Sequence, residues 1–500
     1  MLASLRTATV FGVEACTVHV EVDVSFGFPS FTMVGLPDAS VRESRDRVKS
    51  AIRNSGFEFP PHRITVNLAP ADVRKAGAAF DLPIALGILA AQGVVRRRQI
   101  GEIVVCGELS LDGAVQPARG VLPIAVAARR DGAAGALLPR ANASEAAIVS
   151  GLAVLAVSSL AEAVAALNDP GAAPPPPPPP PPAPLGECPD LADVRGQLLA
   201  RRALEVACAG GHNLLLVGPP GAGKTMMARR VPGILPPMTF DEALEVTSIH
   251  SVAGLLPPGS GLVCQRPFRA PHHTISNAAL VGGGTLPRPG EVSLSHHGVL
   301  FLDEMLEFNR HVLEVLRQPL EEGSVTIARA ARTAIFPARF VLVAAMNPCP
   351  CGYAGDPRRE CRCTPQQVAL YRSKLSGPLR DRLDLTVEVP ALPPDVLGAD
   401  SRGESSADVR RRVVAARERQ RARYSGGFRT NAELTPALLA RLCRLDRAGL
   451  RVLMAAVDRL ALSARGYDRI RKVARTIADL AGTDAVEADH IAEALQFRAM

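Results

Sequence analysis

Gly218-Pro219-Pro220-Gly221-Ala222-Gly223-Lys224-Thr225 decides the reading of this chain, because it fits G-x-x-x-x-G-K-[ST] and stands where a strand should hand over to a helix. Ahead of it, Asn213-Leu214-Leu215-Leu216-Val217 is the continuous apolar run of a buried parallel strand, and Met226 to Arg230 behind it continues as a helix. In such a turn glycines let backbone N–H groups face a β-phosphate. Lys224 then sets a cation between the β- and γ-phosphates, and the Thr225 hydroxyl suits Mg²⁺. Gly218 to Thr225 is therefore the expected phosphate cradle.

Working outward, three further segments carry the same chemistry. Gly298-Val299-Leu300-Phe301-Leu302-Asp303-Glu304 is an apolar strand ending in two carboxylates. Asp303 suits Mg²⁺ held through water, and Glu304 suits polarisation of an attacking water. Phe340-Val341-Leu342-Val343-Ala344-Ala345-Met346-Asn347 is another buried strand, and its terminal Asn347 is placed to orient that water. In Ser376-Gly377-Pro378-Leu379-Arg380-Asp381-Arg382, Arg382 stands too far along the chain to be an expected phosphate ligand of its own chain. From about Leu185 to Pro390 apolar strands alternate with helices, the pattern of a P-loop α/β sheet.

The remainder bounds the class. Five hundred residues suggest about three domains, and 47% hydrophobic with 21% charged residues is ordinary globular composition. No run approaches the ~18 apolar residues of a membrane span. Met1-Leu2-Ala3-Ser4-Leu5-Arg6 lacks the pattern of a signal peptide, so a cytoplasmic location is expected. Of the net charge of +8, seven arise in residues 400–500, with 20 Lys/Arg against 13 Asp/Glu, a bias that favours a polyanionic partner. Nine consecutive prolines within 170–184 predict a polyproline II spacer of about 30 Å. Beyond Pro390 the chain turns helical and basic, with Ser406 as the expected cap of a helix to Arg423 and Thr435-Pro436 opening another.

Residues 1–168 alternate strand-like and helix-like stretches and predict an α+β domain. His19 to Val24 and Ile64 to Leu68 read as strands, and Ser40 to Asn54 as an amphipathic helix. Asn67 to Asp72, Gly77 to Leu86 and Gly107-Glu108-Leu109-Ser110-Leu111-Asp112-Gly113 resemble the proteolytic domain of Lon-type proteases, of ribosomal S5 domain 2-like fold. Where that family carries its nucleophilic Ser this chain has Ala78 and Ala79, and where its Lys follows the second glycine pair it has Arg119-Gly120-Val121-Leu122. Without nucleophile and base there is no acyl transfer, so a non-proteolytic binding or assembly module is expected.

The four phosphate-linked segments, in this order, resemble an AAA+ ATPase. Pro267 to Thr274, Gly290 to Gly298 and Asn347-Pro348-Cys349-Pro350-Cys351-Gly352 narrow the resemblance to magnesium-chelatase-like AAA+ ATPases of the YifB/ComM type, over nearly the whole chain. The long proline tract departs from the pattern. The resemblance implies a hexameric, ATP- and Mg²⁺-dependent ring that drives branch migration or unwinding of DNA in recombination or natural transformation. An alternative it leaves open is a chelatase-type motor subunit remodelling a protein partner. It further implies Lys224, Asp303, Glu304 and Asn347 as catalytic and Arg382 as a finger supplied to the neighbouring subunit. The sensor-2 arginine is Arg465, with Arg469 one turn on as its rival. The implied organisation is a Lon-like domain (1–168), linker (169–184), AAA+ core (185–395) and helical lid (396–500).

Two readings remain open. Ser324 to Arg329 and Thr333 to Phe336 can pair as a hairpin. In similar ATPases it enters the pore, where Arg329 and Arg332 would grip a phosphate backbone; two solvated surface arginines are the bland alternative. The paired histidines, His272/His273 and His296/His297, read as structural or interface residues. Cys349, Cys351, Cys361 and Cys363 form C-x-C twice around a Gly- and Pro-containing loop, a pattern for a closed Zn²⁺ site. Disulfides, disfavoured in a reducing cytosol, and free thiols are the alternatives.

Overall fold

The computed structural model describes the chain except residues 74, 76, 97–99, 170–187, 258, 285–286, 330–331, 394–401, 425–429, 461 and 499–500. The proline spacer thus lies outside the described residues. The chain forms two compact units, residues 1–184 with 243–263, and residues 185–242 with 264–500.

In the first unit a seven-stranded sheet runs Ser30–Val34, Arg63–Ala69, Glu14–Ser25, Leu2–Phe11, Ile103–Val105, Gly135–Pro139, Ala153–Val157. The Leu2–Phe11 strand pairs antiparallel with residues 14–23 of the Glu14–Ser25 strand, and the last three strands add in parallel. Val18, Val20 and Val22 alternate inward on the second strand and are fully buried. The helix Ala39–Asn54 is capped by Asp38, whose carboxylate accepts from Val41 N at 2.9 Å. Ala78 opens a short 3₁₀ turn into the helix Asp81–Ala91. The Asp81 carboxylate, wholly buried, is satisfied by the Arg47 guanidinium at 2.7 Å and by Ser44. Residues 243–263 are tied in by Gly120 N donating to Ser251 O at 3.3 Å and by Ser251 Oγ on Glu145.

The second unit is built on five parallel strands in the order Phe268–Arg269, Val299–Leu302, Val341–Met346, Leu214–Val217, Leu385–Glu388. The three strands at its centre are buried at every residue, which is why each reads as an unbroken apolar run. Five helices from Ser406 to Gln496 follow. The first is capped by Ser405 and not by Ser406: Ser405 Oγ accepts from Asp408 N, while Ser406 Oγ accepts from Leu191 N at 2.7 Å. The helix Ala464–Ala481 buries Ile470, Val473, Ala474, Ile477 and Ala478, one face at i, i+3, i+4, i+7, i+8. Its Thr476 meets the buried His212 at 2.8 Å, and His212 lies 3.5 Å from Asp384. This polar chain fastens the helix to the residues that lead into two core strands.

Gly298 shows how closely the sheet edge is assembled. A Cβ there would lie 2.0 Å from Pro267 O, the acceptor that Val299 N uses at 2.8 Å. Gly298→Ala must push the Phe268–Arg269 strand away, so we expect a loss of about 2 kcal/mol and a melting temperature several degrees lower. An unchanged thermal midpoint would mean that this edge is looser than the geometry implies.

Candidate nucleotide site

The register of the core sheet assembles the site. Val217 pairs with Met346 and Leu302 with Ala344, so Gly218, Asp303 and Asn347 leave the carboxyl ends of neighbouring strands side by side. Gly218 N donates to Met346 O at 3.2 Å. Gly218 is required by crowding: a Cβ would sit 2.1 Å from Val389 O. Gly221 and Gly223 are required by backbone, at φ +78° and +90°, and a Cβ on either would meet nothing within 4 Å. The loop therefore curls around open space, as a phosphate cradle must.

Lys224 opens the following helix and is 9% exposed. Its ammonium donates to Gly218 O at 2.6 Å, Pro219 O at 2.9 Å and Asn347 Oδ1 at 3.2 Å. Burial pulls its pKa below the ordinary lysine value, opposed by the carboxylates of Asp303 and Glu304. Thr225 Oγ1 donates to Asp303 Oδ2 at 2.6 Å. A hydroxyl and a carboxylate converging beside an ammonium form the hard-oxygen donor set that Mg²⁺ with a polyphosphate prefers, so these residues fit that pair. Glu304 stands exposed at the strand end with φ +49°, and its Oε2 is 4.0 Å from His273 Nδ1.

Arg382, Arg465 and Arg469 do not join this group. They line a cavity of about 800 Å³ whose wall includes Asn213, Gly298 and Asp384, the residues just before three core strands. That is the opposite edge of the sheet, and even a four-residue strand is about 13 Å long. Arg382 contacts Glu321, and its Nε is buried without a hydrogen-bond partner among the described residues. Burial, then the charges of Arg465, Arg317 and Arg469, lower its pKa from the ordinary arginine value. Arg469 is committed to Leu383 O at 2.8 Å and Asp381 at 3.0 Å, whereas Arg465 is exposed. Of the two rivals, Arg465 has the available guanidinium.

The four cysteines converge, with every Sγ within 4.8 Å of the others and no disulfide among the described residues. The Ser324–Arg329 and Arg332–Pro337 strands pair antiparallel with Arg329 opposite Arg332, although the side chains of these two arginines lie outside the described part.

Comparison with known proteins gives the family. Residues 190–397 match the family described as magnesium chelatase, subunit ChlI, residues 20–142 match subunit ChlI of Mg-chelatase, and residues 403–498 match the ChlI C-terminal region. Competence protein ComM of Haemophilus influenzae is 46% identical over 505 residues, covering all of this chain and 98% of the relative. An uncharacterised protein YifB of Salmonella typhimurium is 44% identical over 501 residues, all of this chain and 97% of the relative, and an uncharacterised Mycobacterium tuberculosis protein is 46% identical over 494 residues, 98% of this chain and 97% of the relative. The chain belongs to the magnesium chelatase ChlI-like family of AAA+ proteins.

Within this ChlI-like framework the sequence marked the loop, the carboxylates and Asn347, but not the closeness of His273 to Glu304. His273 follows the Phe268–Arg269 strand, which is far in sequence from Glu304 and adjacent only through strand pairing. A polar pair after a short apolar stretch was the one available signal. His296 Nδ1 accepts from Arg339 N at 3.0 Å.

The separate roles that the sequence leads one to expect of Lys224 and Glu304 predict opposite signatures. Lys224→Ala removes the cation from the cradle and should abolish binding of a fluorescent ATP analogue. Glu304→Gln should bind that analogue at native affinity yet lose at least about 100-fold in turnover. Full turnover by Glu304→Gln would remove Glu304 from the catalytic role.

Proposed function

We propose that this chain is the subunit of an ATP-driven ring, a hexamer as the AAA+ resemblance implies, that translocates on DNA and drives branch migration or unwinding. One observation carries the reading: the phosphate-binding group and the arginine group stand on opposite edges of one sheet. A subunit so built has half of a phosphoryl-transfer site on each edge, and a ring of like-facing copies completes each site with its neighbour's arginines.

In the proposed mechanism Lys224 releases its bonds to the loop carbonyls in favour of phosphate oxygens, and Thr225 and Asp303 hold Mg²⁺. Mg²⁺ held there would supply positive charge against the phosphates. Glu304 accepts the proton of the attacking water, which Asn347 orients. Arg382 of the next subunit, with Arg465 beside it, stabilises charge that develops on the transferring group, a contribution of about 10³ to 10⁵ in rate for such fingers. Residues 396–500 act as the helical lid of the 185–395 core. Residues 1–168 serve as a Lon-like module without proteolysis, its buried Asp81 paired to Arg47 and no hydroxyl at Ala78 or Ala79. We read the protein as cytoplasmic.

DNA as the polymer is supported by the basic C-terminal region, by the hairpin register that sets Arg329 opposite Arg332, and by the name competence protein carried by the Haemophilus relative. Recombination proteins are the partners this implies. The family description, magnesium chelatase, favours a second reading in which the ring remodels a protein partner during metal insertion.

Arg382→Ala should bind ATP and fail to hydrolyse it. Mixing it with Lys224→Ala subunits should restore activity at hybrid interfaces, each intact half coming from a different chain. Mixtures that assemble but stay inactive would exclude action across the interface. Forked DNA should stimulate ATP turnover where casein and porphyrin do not. Raising salt from 50 to 200 mM should weaken DNA binding by about tenfold for every two phosphates that the protein neutralises. The Arg329→Ala/Arg332→Ala protein should lose unwinding on all sequences alike. Native unwinding by it would return both arginines to a solvated surface.

A further inference from the structure

The strand Val341–Met346 runs through Asn347 directly into the cysteine loop. Pro348-Cys349-Pro350-Cys351-Gly352 forms a tight turn in which Gly352 N donates to Cys349 O at 3.0 Å and Gly352 takes φ +87°. That turn holds Cys349 Sγ and Cys351 Sγ 3.3 Å apart, and Cys361 Sγ arrives 3.7 Å from the first and 3.6 Å from the second. Cys363 Sγ accepts from Cys351 N at 3.4 Å, and Cys349 Sγ accepts from Ala354 N at 3.3 Å. A tetrahedral zinc with Zn–S near 2.3 Å has sulfur–sulfur edges of about 3.8 Å, whereas a disulfide requires about 2.05 Å. The observed separations lie close to the tetrahedral edge. Backbone N–H groups directed at sulfur favour the thiolate, the form that binds metal.

The same turn is built against the phosphate loop. A Cβ on Gly352 would lie 2.7 Å from Pro220 Cδ, 2.9 Å from Pro220 Cγ and 3.9 Å from Asn347 Cγ. Pro220 belongs to the cradle, and Asn347 accepts the bond of Lys224. Between Gly352 and the helix Pro365–Ser373 no described residue lies in a helix or strand; besides the sulfurs the segment is held by turn bonds at Asp356, by Arg359 donating to Tyr353 Oη at 2.7 Å and by Arg358 donating to Leu392 O.

We propose that Cys349, Cys351, Cys361 and Cys363 bind one Zn²⁺ as a closed structural site, and that this site is a strut for the phosphate loop, so that zinc occupancy and nucleotide affinity are linked. The linkage rests on the reading of Gly218 to Thr225 as a nucleotide loop; the metal site does not. Binding displaces the thiol protons, involves no oxidant, and leaves no open position for water, so the metal takes no part in hydrolysis. Its binding free energy becomes stabilisation of the 349–363 segment, and through Gly352 and Asn347 of the cradle.

The test uses the full chain, purified without added metal. Elemental analysis should find about one zinc per chain, and Cys361→Ser/Cys363→Ser, which leaves the Cys349–Gly352 turn unaltered, should find none. Stripping zinc with a chelator, then restoring Mg²⁺, should weaken binding of a fluorescent ATP analogue by about tenfold, in the range of coupling between contacting groups, and added zinc should restore it. Gly352→Ala retains all four sulfurs and intrudes on Pro220; it should keep its zinc and lose affinity by a similar factor. Metal-free protein in which Cys349, Cys351, Cys361 and Cys363 titrate together with the other six cysteines of the chain, and whose nucleotide affinity is native, overturns the proposal, as does iron in place of zinc. Zinc with nucleotide affinity indifferent to its removal, or native affinity in Gly352→Ala, overturns the strut. Zinc-replete protein that binds no nucleotide at all counts against the loop reading instead, and leaves the metal site standing.

Discussion

The parallel run of the five core strands is the constraint on which the rest depends. Parallel pairing forces every strand to end on one edge and begin on the other, so residues that follow strands gather together and residues that precede them gather apart. Gly218, Asp303 and Asn347 share the first edge; Asn213, Gly298 and Asp384 share the second. The separation of the arginines from the phosphate loop follows from topology.

At the first edge, Lys224 shows how a buried cation is kept in place before any ligand arrives. An ammonium removed from water must have its donors satisfied, and two loop carbonyls with Asn347 supply three acceptors. These bonds hold the loop in its open curl and preset the lysine at its centre. Asn347 belongs at once to this network and to the strand that leads into the cysteine turn. The nucleotide loop and the cysteine loop therefore share a covalent neighbour as well as the packing of Gly352 on Pro220.

The second edge is organised by the C-terminal helices. Ala464–Ala481 could in principle have packed elsewhere on the sheet, since its apolar face specifies burial but not location. The buried hydrogen bonds of Thr476 with His212, and of Asn431 with Thr476 and Asp479, decide the matter, because each polar group would be costly to bury unpaired. They bring Arg465 to the rim of the cavity that holds Arg382, and they leave Arg469 occupied with Asp381 and Leu383 O.

The core elements and the residues of the glycine-rich loop are legible in the sequence alone. Buried parallel strands must be apolar throughout, so Leu214–Val217, Val299–Leu302 and Val341–Met346 were readable as such. The positive φ of Gly221 and Gly223 leaves a mark in residue type. The cysteine cluster is equally plain, because side chains gathered by one turn are close in sequence. Only the tertiary structure decided what lies next to what across long separations: His273 beside Glu304, Gly352 against Pro220, and Arg465 with Arg382 away from Lys224. It also turned the Ser406 hydroxyl to Leu191 N, so that Ser405 became the helix cap. Periodicity reports the face that a residue presents; which partner meets that face is settled by strand order and by the need to satisfy buried polar groups, neither of which is written locally in the chain.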